Sequence, residues 1–327
     1  MPNSRGGSIK TVEPATVKGK GKGPNQSLFL LTVIIGLGIL ITIANPQFIS
    51  SRNLINILQQ ISVTGIATMG VAMVMISGGL DLSIGSIISV TCSVMAKLFS
   101  IGMNVWIVVL VSVLVALVCG FINGFIISRS GCAPFIITLG TLSIYQGFAL
   151  VVTSGRIINV GAGFELLGRT NLNIIPMPVL VFLVIGTAVT VMMNLTRLGR
   201  RLFAMGGNEE AAYLSGINVG RYKVLVYCLN ALVISVASMV LLSRLGSANP
   251  VMGSGYELQS IASAVIGGVT LDGGKGSLVG CFLGVLLLGI ISNALNILGV
   301  SPFYQNMVLG TIIVIAVVVS NFGKNKR

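Results

Sequence analysis

Residues 105–128 read VWIVVLVSVLVALVCGFINGFIIS, twenty-four positions without a single Asp, Glu, Lys or Arg. A helix of that length rises about 36 Å, enough to cross a hydrocarbon core about 30 Å thick. Nine more apolar stretches share the chain with it, at 28–44, 54–77, 84–99, 133–153, 177–194, 222–243, 258–270, 277–298 and 304–321. Most reach the length a span needs. The third and eighth in chain order, 84–99 and 258–270, are short, and each follows a glycine-rich loop. The fold expected is an all-α polytopic membrane protein of ten transmembrane helices.

Composition supports this. The 327 residues are 54% hydrophobic and 8% charged, whereas soluble domains carry about 25% charged residues because water must be faced somewhere. Glycine, at 42 residues, suits helices whose backbones approach closely. Residues 1–26 are polar, with Lys18, Lys20 and Lys22 alternating with glycine, and read as a disordered basic tail. The run that follows lacks a small-residue cleavage site and reads as a first span, not a removable signal.

The net charge of +13 points to orientation, because the cations cluster in short connections and no aromatic-rich basic face accompanies them; nucleic acid is not an expected partner. Ten spans with both ends in the cytoplasm leave outside only Arg52, Lys97, Arg156, Arg169 and Arg244. The other fifteen Lys and Arg then lie inside, as the positive-inside rule asks. The expected organisation is one permease domain over 27–322 containing a cytoplasmic loop at 195–221, with a short cytoplasmic tail at 323–327.

Whole classes of chemistry are excluded. There is no histidine, which removes His-based catalysis, His metal sites and His proton relays. The five cysteines form no CxxC pair and read as small packed hydrophobes. No pair of carboxylates suggests acid and base, so no catalytic residue and no metal site is expected.

A weak self-similarity runs through the chain. Gly79-Leu80-Asp81-Leu82 precedes the short third span and Gly255-Tyr256-Glu257-Leu258 the short eighth; Asn123 and Asn293 sit near the ends of the fourth and ninth. Pro134-Phe135 with Leu139-Gly140-Thr141 opens the fifth span, and Pro302-Phe303 with Leu309-Gly310-Thr311 the tenth. Spans two to five thus echo spans seven to ten. An offset of five spans inverts the second copy, which is the inverted-repeat plan of transport proteins.

Asp81 and Glu257 at related helix starts suit the capping of free N–H groups; the alternative is contact with a passing polyol. Asn123, Asn293, Asn296, Gln59 and Gln146 admit the same two readings, interhelical hydrogen bond or solute contact. The stripe Gly276, Gly280 and Gly284 reads as close helix packing. In the 195–221 loop, Gly206-Gly207-Asn208-Glu209-Glu210-Ala211-Ala212 leads through Tyr213 and Leu214 to Gly216. Asn208 is suited to N-cap, Glu209 and Glu210 to the first turn, and Gly216 to C′. A two-turn helix of this kind needs something to dock on, either its own membrane base or a partner.

Gly78-Gly79-Leu80-Asp81-Leu82-Ser83-Ile84-Gly85, Pro134–Thr141, Gly206–Ala212, Gly255–Leu258 and Ile266-Gly267-Gly268-Val269 together resemble the ribose-type sugar permeases, the membrane subunits of bacterial ATP-binding-cassette importers for monosaccharides. The resemblance covers about residues 28–321. It implies an inner-membrane homodimer or pair of related subunits, a periplasmic sugar-binding protein, and a cytoplasmic ATPase with two nucleotide-binding halves. It also implies that the Asn208–Gly216 helix is the coupling helix. ATP and Mg would belong to that ATPase and no cofactor to this chain, since Gly273-Gly274-Lys275-Gly276-Ser277 lacks phosphate-loop spacing.

Overall fold

The computed structural model describes residues 26–160, 164–172, 175–301, 304–305, 307–312 and 314–315. The two expected tails, the end of the tenth span and the Pro302-Phe303 motif lie outside the described residues, apart from Gln26, which opens the first helix.

The helices are α1 (Gln26–Ala44), α2 (Ser51–Ile76), α3 (Ile84–Ser100), α4 (Val105–Ser130), α5 (Pro134–Thr153), α6 (Met177–Leu195), α7 (Arg197–Gly207), α8 (Glu209–Leu214), α9 (Val219–Leu245), α10 (Tyr256–Ile266) and α11 (Leu278–Ile297). A 3-10 turn, Pro46–Ile49, links the first two. Strand structure among the described residues is confined to two small antiparallel ribbons, Ile158–Asn159 against Ser247–Ala248 and Asn171–Leu172 against Ile175–Pro176. The fold is that of an all-α polytopic membrane protein. Among the described residues seven helices, α1, α2, α4, α5, α6, α9 and α11, are long and apolar enough to cross a membrane. The expected short spans become α3, of 17 residues, and α10, of 11. The latter stops at Ile266, four residues before its apolar run ends, where Gly267 and Gly268 turn the chain.

Two long helices organise the bundle. Helix α9 packs on α2, α3 and α4, while α2 packs on α6, α9, α10 and α11. Both are buried over most of their length, so their apolar character is not confined to one face, as expected of helices surrounded by others. Helices α1, α4, α5 and α6 leave Phe, Leu, Ile and Val exposed along one side, the side that lipid would cover.

Connections sort to two ends. At one, the N–H of Gly274 donates to the Ile76 carbonyl at 2.8 Å, and a cavity of about 290 Å³ is lined by Ser77–Gly79, Gly131–Pro134, Glu209 and Lys223. At the other, Arg169 donates to the carbonyls of Arg244 and Leu245 beside the first ribbon, and the Phe164 ring packs on Phe99 with centroids 5.1 Å apart.

The Gly276-Gly280-Gly284 stripe packs as expected. A Cβ on Gly280 would overlap the Gly267 carbonyl, and one on Gly284 the Ser263 carbonyl, so α10 and α11 touch backbone to backbone. All five cysteines are free; Cys92, Cys119 and Cys281 are buried as small hydrophobes, Cys228 is partly buried and Cys132 is exposed. Replacing Gly284 by Val is expected to destabilise the protein by about 1–3 kcal/mol, the usual cost of overpacking. A lowered unfolding midpoint in detergent, beside an unchanged Gly140→Val control whose Cβ meets open space, would check this.

Candidate functional site

Between α2 and α3 the chain leaves helical geometry over residues 77–83, and between α9 and α10 it does so over residues 246–255, apart from the Ser247–Ala248 strand. The two broken segments lead to helix starts that meet inside the bundle. A Cβ on Gly85 would strike Glu257 Oε2, one on Gly253 would strike the Gly85 carbonyl, and the Gly253 N–H donates to Ser89 Oγ at 3.0 Å. Backbone groups freed within a bilayer must find protein partners, and here they do. Leu80 O accepts from Tyr227 Oη at 3.0 Å, the Leu82 N–H donates to Thr138 Oγ1 at 3.2 Å, and Pro250 O accepts from Gln146 Nε2 at 2.7 Å.

Asp81 lies at the centre of this arrangement and is fully buried. Its Oδ1 accepts from the Ser83 N–H at 2.9 Å and from Ser83 Oγ at 2.6 Å, and its Oδ2 from Asn230 Nδ2 at 2.9 Å. Asn123 Nδ2 donates to Ser83 Oγ at 2.8 Å, and Asn123 Oδ1 accepts from Tyr145 Oη at 3.0 Å. One connected network therefore ties the break to α4, α5 and α9. Among the described residues no Lys or Arg pairs with Asp81. A carboxylate buried without a cation depends on its hydrogen bonds, and three are supplied.

The helix-start position expected for Asp81 and Glu257 is correct along the chain but not in depth. Both starts lie within the protein, because the preceding segments run inward, and Asn230, the partner of Asp81, is the twelfth of the 27 residues of α9. Glu257 Oε1 caps the Gly255 N–H at 3.0 Å, whereas its Oε2 is buried without a partner.

The other amides divide. Asn293 and Asn53 exchange two hydrogen bonds, of 2.8 and 3.0 Å. Gln146 is spent on Pro250 O, and Asn296, expected to face inward, is exposed and accepts from Gln305. Gln59 is half-buried, and its side chain makes no hydrogen bond among the described residues. Sequence reading missed Ser83, Thr138, Tyr145, Tyr227 and Asn230. The lone amide of Asn230 in an otherwise apolar stretch was the available signal.

The 195–221 loop holds two helices, not one. Ahead of the expected helix stands α7, whose Leu202 and Met205 are buried while Arg197, Arg200 and Arg201 are exposed. Asn208 caps α8 as expected, accepting from the Ala211 N–H at 2.9 Å, and Gly216 follows at φ +81°. The remaining loop residues face two ways. Gly206 packs inward so closely that a Cβ would overlap the Ile76 carbonyl; Ala212 is buried; Glu209 pairs with Lys223 Nζ at 2.7 Å. Gly207, Glu210 and Ala211 face outward, with Tyr213 and Leu214 69% and 78% exposed.

The matching family is described as branched-chain amino acid transport system / permease component, and it matches residues 53–317. The ribose import permease protein RbsC of Bacillus subtilis (strain 168) is 39% identical over 298 residues, covering 90% of this chain and 91% of that protein. The D-allose transport system permease protein AlsC of Escherichia coli (strain K12) is 35% identical, covering 89% of each. The L-arabinose transport system permease protein AraH of the same strain is 33% identical, covering 96% of this chain and 99% of that protein. No solved structure matches significantly. A polytopic bundle with two broken segments and a docked two-helix loop is thus accompanied by similarity over nearly the whole chain, and the chain belongs to this family of transport-system permease components.

Proposed function

We propose that the chain is the membrane-spanning permease subunit of an ATP-binding-cassette importer, carrying a monosaccharide across the bacterial inner membrane by alternating access. The observation that carries the coupling part is the outward face of α8. Tyr213 and Leu214 are large, apolar and exposed at the end of the bundle, where aromatic anchors of an interface belong. The cytoplasmic ATPase, with two nucleotide-binding halves, is the occupant of this face and holds ATP and Mg. A periplasmic sugar-binding protein and a second permease copy, or a paralogue, complete the assembly.

Monosaccharide cargo rests on the relatives named for ribose, allose and arabinose. A branched-chain amino acid, which the family description names, or a nucleoside is the alternative within the same class. The topology proposed is ten spans with both ends cytoplasmic, in one permease domain over 27–322. Its support is the sorting of connections, since Arg129, Arg197, Arg200, Arg201, Arg221, Lys223 and Lys275 collect at the end that carries α8. The inverted repeat is supported by packing. Helix α9 holds α3 and α4 as α2 holds α10 and α11, the pattern expected if each half lends its first helix to the other.

The buried Asp81, with no cation paired to it among the described residues, favours one competing reading, ion-coupled transport. Collapse of proton and sodium gradients with ATP maintained separates the two: the importer's uptake stays unchanged, and an ion-coupled carrier's stops. The docking reading makes a second demand. Tyr213→Ala with Leu214→Ala is expected to release the ATPase from purified complexes and to lower uptake by more than about tenfold, as loss of two interface anchors does. Glu210→Lys weakens docking without disturbing the fold, while Glu209→Lys also breaks the pair with Lys223. Full ATPase recovery with the Tyr213/Leu214 double variant would defeat the proposed docking face.

A further inference from the structure

Asn56, Gln60 and Thr64 follow one another at four-residue intervals along the first half of α2, and so share one side of it. Gln60 and Thr64, with Gln259 of α10 and Ser292 of α11, line a narrow cleft of about 20 Å³, room for about one water in this state, whose apolar lining includes Leu288 and Leu309. All four polar residues are half-buried, and none of their side chains makes a hydrogen bond among the described residues. Gln60 stands about 13 Å along α2 from Ser51, at 1.5 Å per residue. Unpaired amides at that depth are costly against acyl chains, so this cleft faces water or a polar solute.

The internal repeat sharpens the point. An offset of 170 relates Asn123 to Asn293, Gly140 to Gly310 and Gln60 to Asn230, while the intervening Asp81 and Glu257 stand 176 apart because the second break is the longer. In one half, Asn230 is fully buried and its Nδ2 donates to Asp81, its Oδ1 lying buried without a partner. At the related place in the other half, Gln60 has an amide of the same chemistry and no side-chain partner among the described residues. One half thus buries its amide against a carboxylate, while the other leaves its amide half-buried on the cleft.

We infer that Gln60, Thr64, Gln259 and Ser292 form a wall of the solute pathway that takes the hydroxyls of a polyhydroxylated, uncharged solute; this rests on the importer reading above. Each amide offers two donors and an acceptor, and each hydroxyl both donates and accepts, which matches sugar hydroxyls group for group. Among the described residues no charged side chain lines the cleft, so an amino acid's ammonium and carboxylate would find no counter-charge from them. A few neutral hydrogen bonds also bind weakly enough to let a solute move on.

The test uses vesicles holding the full chain with its ATPase and binding protein, and labelled ribose, allose and arabinose as probes. Gln60→Leu and Gln259→Leu are each expected to lower uptake at limiting sugar by about tenfold, the worth of one hydrogen bond lost on the way through. Binding-protein-stimulated ATP hydrolysis is expected to persist, and Gln60→Asn to recover part of the uptake. In a Cys132→Ser background, Gln60→Cys and Gln259→Cys are expected to react with a membrane-impermeant thiol reagent, as a lipid-facing or purely packed position would not. Unchanged uptake in the double leucine variant, or cysteines unreactive in every nucleotide state, would overturn the wall. Wild-type vesicles that take up none of the sugars while both cysteines react would defeat the importer reading and leave a water-exposed wall standing.

Discussion

Hydrocarbon offers a backbone nothing to bond with, and this chain breaks helical geometry twice inside its own bundle. Every N–H and C=O released at a break must be taken up by another part of the protein. Around residues 77–83 the work falls to Thr138, Tyr227 and the Asp81–Ser83–Asn123–Asn230–Tyr145 network. Around residues 246–255 it falls to Ser89, Gln146 and Glu257. Much of the remaining architecture follows from that obligation. Helices α4, α5 and α9 must crowd round the first break because they carry its partners.

The same obligation joins the 195–221 loop to the interior. Gly206 seats on the last turn of α2, and Gly274 bonds to the Ile76 carbonyl beside it. The loop that presents Tyr213 and Leu214 outward is therefore fastened, on its inner side, to the place where α2 ends and the first break begins. Glu209 adds a tie to Lys223 near the start of α9. A push on α8 arrives at α2 and α9, the two helices around which both halves are packed.

How far the sequence could be read follows from what kind of force fixed each feature. Long apolar runs are decided by solvent alone, so α1 to α6 and α9 to α11 stand close to the stretches expected for them. Capping is local, so Asn208 and Gly216 hold the roles their neighbours implied. The breaks were visible as glycine-rich interruptions, but their depth was not, because it depends on which distant helix supplies the partner; Asp81 bonds to Asn230, 149 positions away. Which amides are already satisfied is a matter of packing too. Gln146 and Asn293 looked like Gln60 and Gln259 in the sequence, and only the fold separates those with partners from those without. Helix α7 was overlooked because its glycines and arginines hide a short amphipathic pattern that exists only against the base of the bundle.

The contact among Gly78, Gly206, Gly273 and Gly274 has a mechanical meaning. These four come together with no side chain between them, so that a Cβ on Gly273 would collide with Gly78 and one on Gly274 with Gly207. Side chains are the compressible part of a protein contact, since rotamers can give way before a backbone does. A joint made from peptide planes has almost no such cushioning. Displacement entering on one side leaves on the other nearly undiminished, which makes this knot of glycines a stiff transmission and not a spring.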